Sequence, residues 1–191
     1  MRNNTPINNP KLFVITGGPG SGKTTVLKEL ASLGYRVAPE IARQIIQQQV
    51  NTGGNAVPWG DRKAYTDLML QRSIESFREH TPPAECMFSD RGIPDALCYS
   101  RLIGLGQENE LRSACQQFRY AERVFFAPAW QEIYKTDRER KQDFAEAVRT
   151  AELMRKVYEE CGYELIELPK VSAADRAHFI LQHVRERLSA P

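Results

Sequence analysis

The sequence predicts an α/β domain built on a mainly parallel sheet, and three observations predict it. Short apolar runs alternate along the chain with longer segments of helical periodicity. The first run, Lys11-Leu-Phe-Val-Ile-Thr16, is unbroken, as in a strand buried on both faces of a parallel sheet. Directly after it come a glycine-rich turn and a helical pattern.

That helix runs from Thr24 to Leu33, with Val26, Leu27, Leu30 and Leu33 at helical spacing and Gly34 where a C-terminal cap belongs. Tyr35-Arg-Val-Ala38 is a second strand, stopped by Pro39. Residues 40–50 and 61–80 read as helices on either side of a polar, flexible stretch, residues 51–60. Cys86-Met-Phe-Ser89 is the third strand, followed by helical patches at 93–103 and 108–120. Arg123-Val-Phe-Phe-Ala127 is the fourth, closed by Pro128. Along 141–161, Phe144, Val148, Ala151, Met154, Val157, Tyr158 and Cys161 share one helical face, and Gly162 is the stop. Tyr163 to Leu168 alternates as an edge strand would and ends at Pro169. Ser172 with Asp175 resembles a capping box opening the last helix. With no internal repeat, residues 11–191 are expected to form a single domain, and the Asn- and Pro-rich residues 1–10 a flexible arm.

Composition removes several classes of function. A chain of 191 residues, 41% apolar and 26% charged, can bury a core without staples and is neither disordered nor fibrous. A net charge of +2 argues against a dedicated nucleic-acid binder. No apolar run approaches the ~18 residues that span a bilayer, and the N-terminus lacks a secretory pattern. Cys86, Cys98, Cys115 and Cys161 form no C-x-x-C pair and are expected as reduced thiols in or near the core. The chain is therefore expected in the cytoplasm, a reducing compartment. His80, His178 and His183 have no ligand-like neighbours, so a structural metal site is not expected.

The chemistry is concentrated in Gly17-Gly18-Pro19-Gly20-Ser21-Gly22-Lys23-Thr24, a full match to G-x-x-x-x-G-K-[ST] between a predicted strand and a predicted helix. Glycines let successive N–H groups turn inward as an anion nest, and the helix dipole adds positive potential there. Lys23 can reach the β- and γ-phosphates of a nucleoside triphosphate, and the Thr24 hydroxyl can ligate Mg²⁺. The expected fold is thus a P-loop NTPase, with Thr25 completing the nucleotide-binding residues. A second Mg²⁺-supporting group belongs at the tip of a neighbouring strand, and Asp90 is placed for it, unless it merely caps the next helix. The residue after Asp90 is Arg91, not the second acid of a hydrolytic motor. Tyr134-Lys-Thr-Asp137 lacks the Asn of a guanine-reading Asn-Lys-x-Asp, so ATP is expected before GTP. Trp59 and Tyr65 either line an acceptor pocket or pack in the core or on the surface.

The phosphate loop, Glu40-Ile-Ala-Arg43, Asp90-Arg91-Gly-Ile-Pro-Asp95 and Asp137-Arg138-Glu-Arg140 together resemble the AAA-type ATPase domain of bacterial NadR proteins, over nearly all of residues 11–185. In NadR this domain is a nicotinamide-riboside kinase. The resemblance implies a nucleotide-kinase-like, three-layer α/β/α fold with a five-stranded parallel sheet in the order 2-3-1-4-5. It implies that Glu40 faces the acceptor hydroxyl, as general base or positioning group; an acid complementing the helix dipole is the alternative. Arg43 would meet an anionic part of the acceptor, Arg91 would touch phosphate or acceptor, and Asp95 would help to orient it. Arg138 and Arg140 would belong to a lid over residues 134–141 that closes on the γ-phosphate, although that stretch also reads as a solvated charge run. Residues 169–172 would lie near the base.

The expected activity is transfer of the γ-phosphoryl of MgATP to a small hydroxylated or nucleoside-like acceptor. The competing reading is a nucleotide-dependent switch, or slow ATPase or GTPase, acting through a protein or lipid partner with residues 51–60 as its responsive surface. A nucleic-acid end-processing kinase is a third class, disfavoured by the near-neutral charge.

Overall fold

The computed structural model of the chain describes residues 5–82, 85–106, 108–134 and 143–189. Five strands form the main sheet: β2 (Leu12–Gly17), β3 (Arg36–Ala38), β4 (Met87–Asp90), β6 (Arg123–Ala127) and β7 (Glu164–Glu167). They are all parallel, in the order β3-β4-β2-β6-β7. Numbered among themselves, that order is 2-3-1-4-5. The middle strand, β2, is buried at every residue, which is why its sequence is an unbroken apolar run. The alternating strand β7 lies at an edge.

Successive β2 side chains point to opposite faces of the sheet and belong to two cores. Phe13 and Ile15 face α1 (Lys23–Ser32) and α7 (Ala173–Ser189), joining Val26, Leu27, Leu30, Ile180, Leu181 and Val184. Phe13 sits between Phe88 of β4 and Phe125 of β6, with ring centroids 6.0 and 6.2 Å away. Leu12 and Val14 face the other layer. That layer is built by α2 (Ile41–Thr52), α3 (Arg62–Glu79), α4 (Ile93–Leu102), α5 (Glu108–Gln117) and α6 (Phe144–Glu160). The architecture is a three-layer α/β/α fold.

Three of the helices start with a device visible in their residues. The Asp61 carboxylate accepts from Ala64 N to open α3, and Asp143 and Glu146 make a reciprocal capping box at α6. Ser172 Oγ accepts from Asp175 N at 3.1 Å and donates to the Asp175 carboxylate at 2.6 Å, opening α7.

Two short elements depart from the sequence reading. The helix expected over 108–120 stops at Gln117, and β5 (Phe118–Arg119) pairs in parallel with β1 (Ile7–Asn8). Residues 7–9, expected in a flexible arm, are therefore held. Asn9 is fully buried, and its side-chain amide donates to His80 O at 2.7 Å and to Thr81 Oγ1 at 3.0 Å. An apolar-run search misses such a strand because its anchoring is polar. The stretch expected to be flexible, 51–60, contains the last residues of α2 and a loop folded on itself. Asn55 O accepts there from Val57 N and Asp61 N, and Gln49 Oε1 accepts from Ala56 N. No described helix is long and apolar enough to cross a membrane. All four cysteines are free thiols, with Cys98 and Cys115 buried.

Candidate active site

The turn between β2 and α1 is shaped by glycines whose backbone and close contacts resist a side chain. Gly17 has φ 138°, and a Cβ there would collide with the carbonyl oxygen of Ala127 on β6. Gly18 packs directly on α6, where a Cβ would stand 2.9 Å from Ala147 O and 3.1 Å from Ala151 Cβ. Gly22, at the N-cap of α1, has φ 79°.

Lys23 is folded back over this turn. Its Nζ donates to Gly17 O at 2.9 Å, Gly18 O at 2.8 Å and Ser21 Oγ at 3.3 Å, and the residue is 7% exposed. Burial, and then the charge of Arg91, pull its pKa down to about 7 against the opposing pull of Asp90, Glu40 and Asp95. Thr24 and Thr25, by contrast, are exposed.

On the β3/β4 flank four charged residues form one network. The chain leaves β4 through Arg91, whose φ of 73° is left-handed, an uncommon state for a side-chain-bearing residue and a local strain. The bend turns the guanidinium back toward the phosphate loop. Nε donates to Glu40 Oε1 at 2.8 Å, and Nη1 to Asp95 Oδ1 at 2.9 Å and Gly17 O at 3.4 Å. Burial favours the neutral guanidinium, but Glu40, Asp95 and Asp90 outweigh it and push its pKa up.

Glu40 occupies the N-cap position of α2 yet makes no side-chain cap hydrogen bond. Its carboxylate turns to Arg91 instead, with Arg43 Nε 3.9 Å from the other oxygen. Burial would raise the Glu40 carboxyl, but Arg91 and then Lys23 hold it below the ordinary 4.5. Such a group contributes stability above its unfolded pKa and loses it as pH falls through the lower folded value. Denaturant titrations between about pH 3 and 7 should show a steeper acid loss for the native chain than for Glu40→Gln. Equal slopes would mean that Glu40 is not held by the arginines.

Asp95 is placed differently from the expectation that it meets an acceptor. It is 3% exposed and its oxygens are committed inward. Oδ1 accepts from Thr16 Oγ1 at 3.0 Å and from Arg91, and Oδ2 from Gly92 N at 2.9 Å and Tyr158 OH at 2.5 Å. Asp95 therefore caps α4 and anchors Arg91. The sequence allows Asp90 that role as well, because both acids sit near the same helix start. Asp90 is 7% exposed, and its Oδ1 is buried with no donor. It lines a small inner cavity of about 20 Å³ with Ser73, Ser76 and Ser89, on which Arg91 also borders. Burial, and then the Glu40 carboxylate, push Asp90 up to about 6.

One larger cavity, about 560 Å³, contains the phosphate loop. Pro19 to Thr25 form its middle; Glu40, Arg43 and Arg91 line it on the β3/β4 side. Trp130, Ile133, Val171, Ser172, Ala173 and Arg176, from the segments after β6 and β7, line it on the other side. Trp130 and Arg176 carry no motif and escape sequence reading. Trp59 is 67% exposed and Tyr65 is 3% exposed, edge-on to Tyr99; neither lines the cavity. Arg138 and Arg140, with most of the expected lid, lie outside the described residues.

Thr24 lines the large cavity and Asp90 the small inner one; both carry the hard oxygens that Mg²⁺ takes, and the donorless Asp90 oxygen is what a carboxylate kept for an ion or its water shell would show. Among the described residues no group of three or more His, Cys, Asp or Glu could hold a metal alone.

Several solved structures share this fold. Shikimate kinase from Acinetobacter baumannii in complex with shikimate is 20% identical, with a TM-score of 0.57 over 98% of this chain and 97% of that one. The NadR protein in complex with NR is 18% identical, with a TM-score of 0.68 over 95% of this chain; this chain spans 51% of its length. Thymidylate kinase from Ehrlichia chaffeensis is 16% identical, with a TM-score of 0.59 over 93% of this chain and 99% of that one. At such identities the likeness shows a kinase-like P-loop fold. No curated protein matches the chain in sequence. The family described as the AAA domain matches residues 12–176, and with its phosphate loop, parallel sheet and strand order the chain belongs to that family.

Proposed function

We propose that the protein is a small-molecule kinase that moves the γ-phosphoryl of ATP to a hydroxyl of a small or nucleoside-like acceptor. One observation carries this reading: a single cavity holds the phosphate loop between two separately built flanks. Because β2 is central, segments after β3 and β4 reach it from one side and segments after β6 and β7 from the other. This is a switch point, where α/β sheets bind ligands. The apolar β6/β7 flank suits a nucleobase, and the Glu40–Arg43–Arg91 flank suits a hydroxylated acceptor with anionic character. The kinase neighbours of the fold support the same assignment.

Within this reading Gly17 to Thr25 hold the phosphates, and Lys23 turns from the loop carbonyls to the β- and γ-oxygens. Thr24 and Asp90 would hold Mg²⁺, which when bound neutralises charge on the phosphate oxygens. Arg91 lies between the loop and Glu40, placed to stabilise charge on the transferred group. Glu40 accepts a hydrogen bond from the acceptor hydroxyl and orients it. With its pKa held below 4.5 it is ionised at neutral pH, and phosphoryl transfer asks chiefly for positioning. Arg138 and Arg140 are proposed to close over the transferred group.

The test is ADP release with and without a panel of nucleosides, nucleotides and hydroxylated metabolites. Strong stimulation by one acceptor, with a phosphorylated product, is expected. Turnover indifferent to every acceptor would instead support a switch or slow ATPase. Glu40→Gln should lower transfer by about 10²- to 10⁴-fold while ATP affinity stays within about twofold. A matching fall in ATP affinity would remove Glu40 from the acceptor side.

A further inference from the structure

Arg176, on α7, is a buried cation that meets no anion among the described residues. It is 2% exposed, Nη1 donates to Ser21 O at 3.0 Å, and Nε is buried with no acceptor. Among the described residues no carboxylate lies within ion-pair distance of it. Its charge instead stands 5.8 Å from the ring of Trp130. Burial lowers its pKa, but a guanidinium stays protonated, so the fold carries the charge rather than shedding it. A buried, unpaired charge is costly, and apolar residues of similar volume commonly serve a fold better. Its retention calls for a compensating group that arrives from outside.

The position indicates which group. Arg176 lines the large cavity, and Nη1 stands 2.9 Å from where a Gly22 Cβ would be, directly against the phosphate loop. It shares the β6/β7 wall with Trp130, Val171 and Ser172, whereas Arg91 and Glu40 line the opposite side. Lys23 serves the end of the phosphate chain where transfer occurs. The base-proximal end has this one buried cation among the described residues. We infer that Arg176 is the counter-charge for the α-phosphate of the donor nucleotide, a binding residue for the donor. The inference rests on the proposed reading that the cavity takes a nucleoside triphosphate. It adds that the C-terminal helix, and not the loop alone, distinguishes a nucleotide from a nucleoside.

Calorimetric titration with MgADP, AMP and adenosine tests this, using the native chain, Arg176→Met and Arg176→Lys, beside apo melting temperatures. The guanine series is used if GTP binds more tightly. Arg176→Met should weaken ADP and AMP by the same factor, about 10- to 100-fold, as for loss of a charged hydrogen bond, and leave the nucleoside within about twofold. Its apo melting temperature should hold or rise, because a buried charge is gone, while the nucleotide-induced rise shrinks. Arg176→Lys should recover part of the AMP affinity. If Arg176 merely braces Ser21, the Met variant melts lower and loses nucleoside and nucleotide affinity alike, which overturns the inference. Unchanged ADP binding in the Met variant overturns it too and leaves the kinase reading standing. If the native chain binds neither series, both fall together.

Discussion

Lys23→Ala is expected to lower phosphoryl transfer by about a thousandfold or more, the scale of removing a fixed charge from a phosphoryl-transfer site. Two effects combine. The ammonium proposed to meet the β- and γ-oxygens is lost, and so are the donors to Gly17 O, Gly18 O and Ser21 Oγ. Folding should survive. The depressed Lys23 pKa means the fold hosts this charge at a cost, so removing it refunds part of the lost hydrogen bonding. Transfer rate and melting temperature, measured together, check both halves. Activity above a tenth of native would separate Lys23 from the chemistry, and an unfolded variant would make it a structural residue first.

Arg91→Ala is expected to cost about 3–5 kcal/mol of stability, the range for removing one partner of a buried ion pair. Arg91 stands among three acids: it bonds Glu40 and Asp95 directly, and Asp90 precedes it in sequence. Without it, Asp95 at 3% exposure and Asp90 at 7% keep their charges buried with no guanidinium between them. Asp90, already pushed up to about 6 by burial and Glu40, then lies still further above its unfolded value. The penalty is therefore full above the raised folded value and disappears below about pH 4, where unfolded carboxyls are protonated as well. Urea titrations at neutral and acid pH should show a wide gap from native that closes on acidification. A gap below about 1 kcal/mol at neutral pH would show the acids to be compensated by solvent. Arg91→Lys should restore little, since one ammonium cannot span Glu40 and Asp95 as a planar fork does.

These two residues also show why some of the site was legible in the sequence and some was not. Lys23 belongs to a local pattern: strand, glycine turn and helix are contiguous, so spacing alone predicts its surroundings. The same holds for the five main strands, whose apolar runs end at Pro, Gly or charge, and for the Ser172–Asp175 cap. Arg91 and Glu40 are 51 positions apart, at the ends of the neighbouring strands β4 and β3; the resemblance could bring both to one site but not show that they pair. Asp90 and Asp95 were harder, because both are acids near one helix start and only the fold shows which one caps it. Trp130 and Arg176 left no trace. Arg176 shares its helix with Arg185 and Arg187, so one buried cation looks like its solvated neighbours until tertiary contacts are known. For Tyr65 the sequence leaves pocket wall and core packing both open, and only the fold decides, since its ring packs in the core against Tyr99.

Where Gly18 meets Ala147 and Ala151, nothing bulkier than a methyl group separates the loop from α6. Longer side chains at such a seam would act as springs, absorbing small displacements by changing rotamer. Here that cushion is missing, so a shift of α6 along its axis by even about an ångström passes straight into the backbone proposed to hold the phosphates. The mechanical stiffness of this contact ties the geometry of the loop to the resting position of one helix, and a valine at residue 151 would drive a wedge between them.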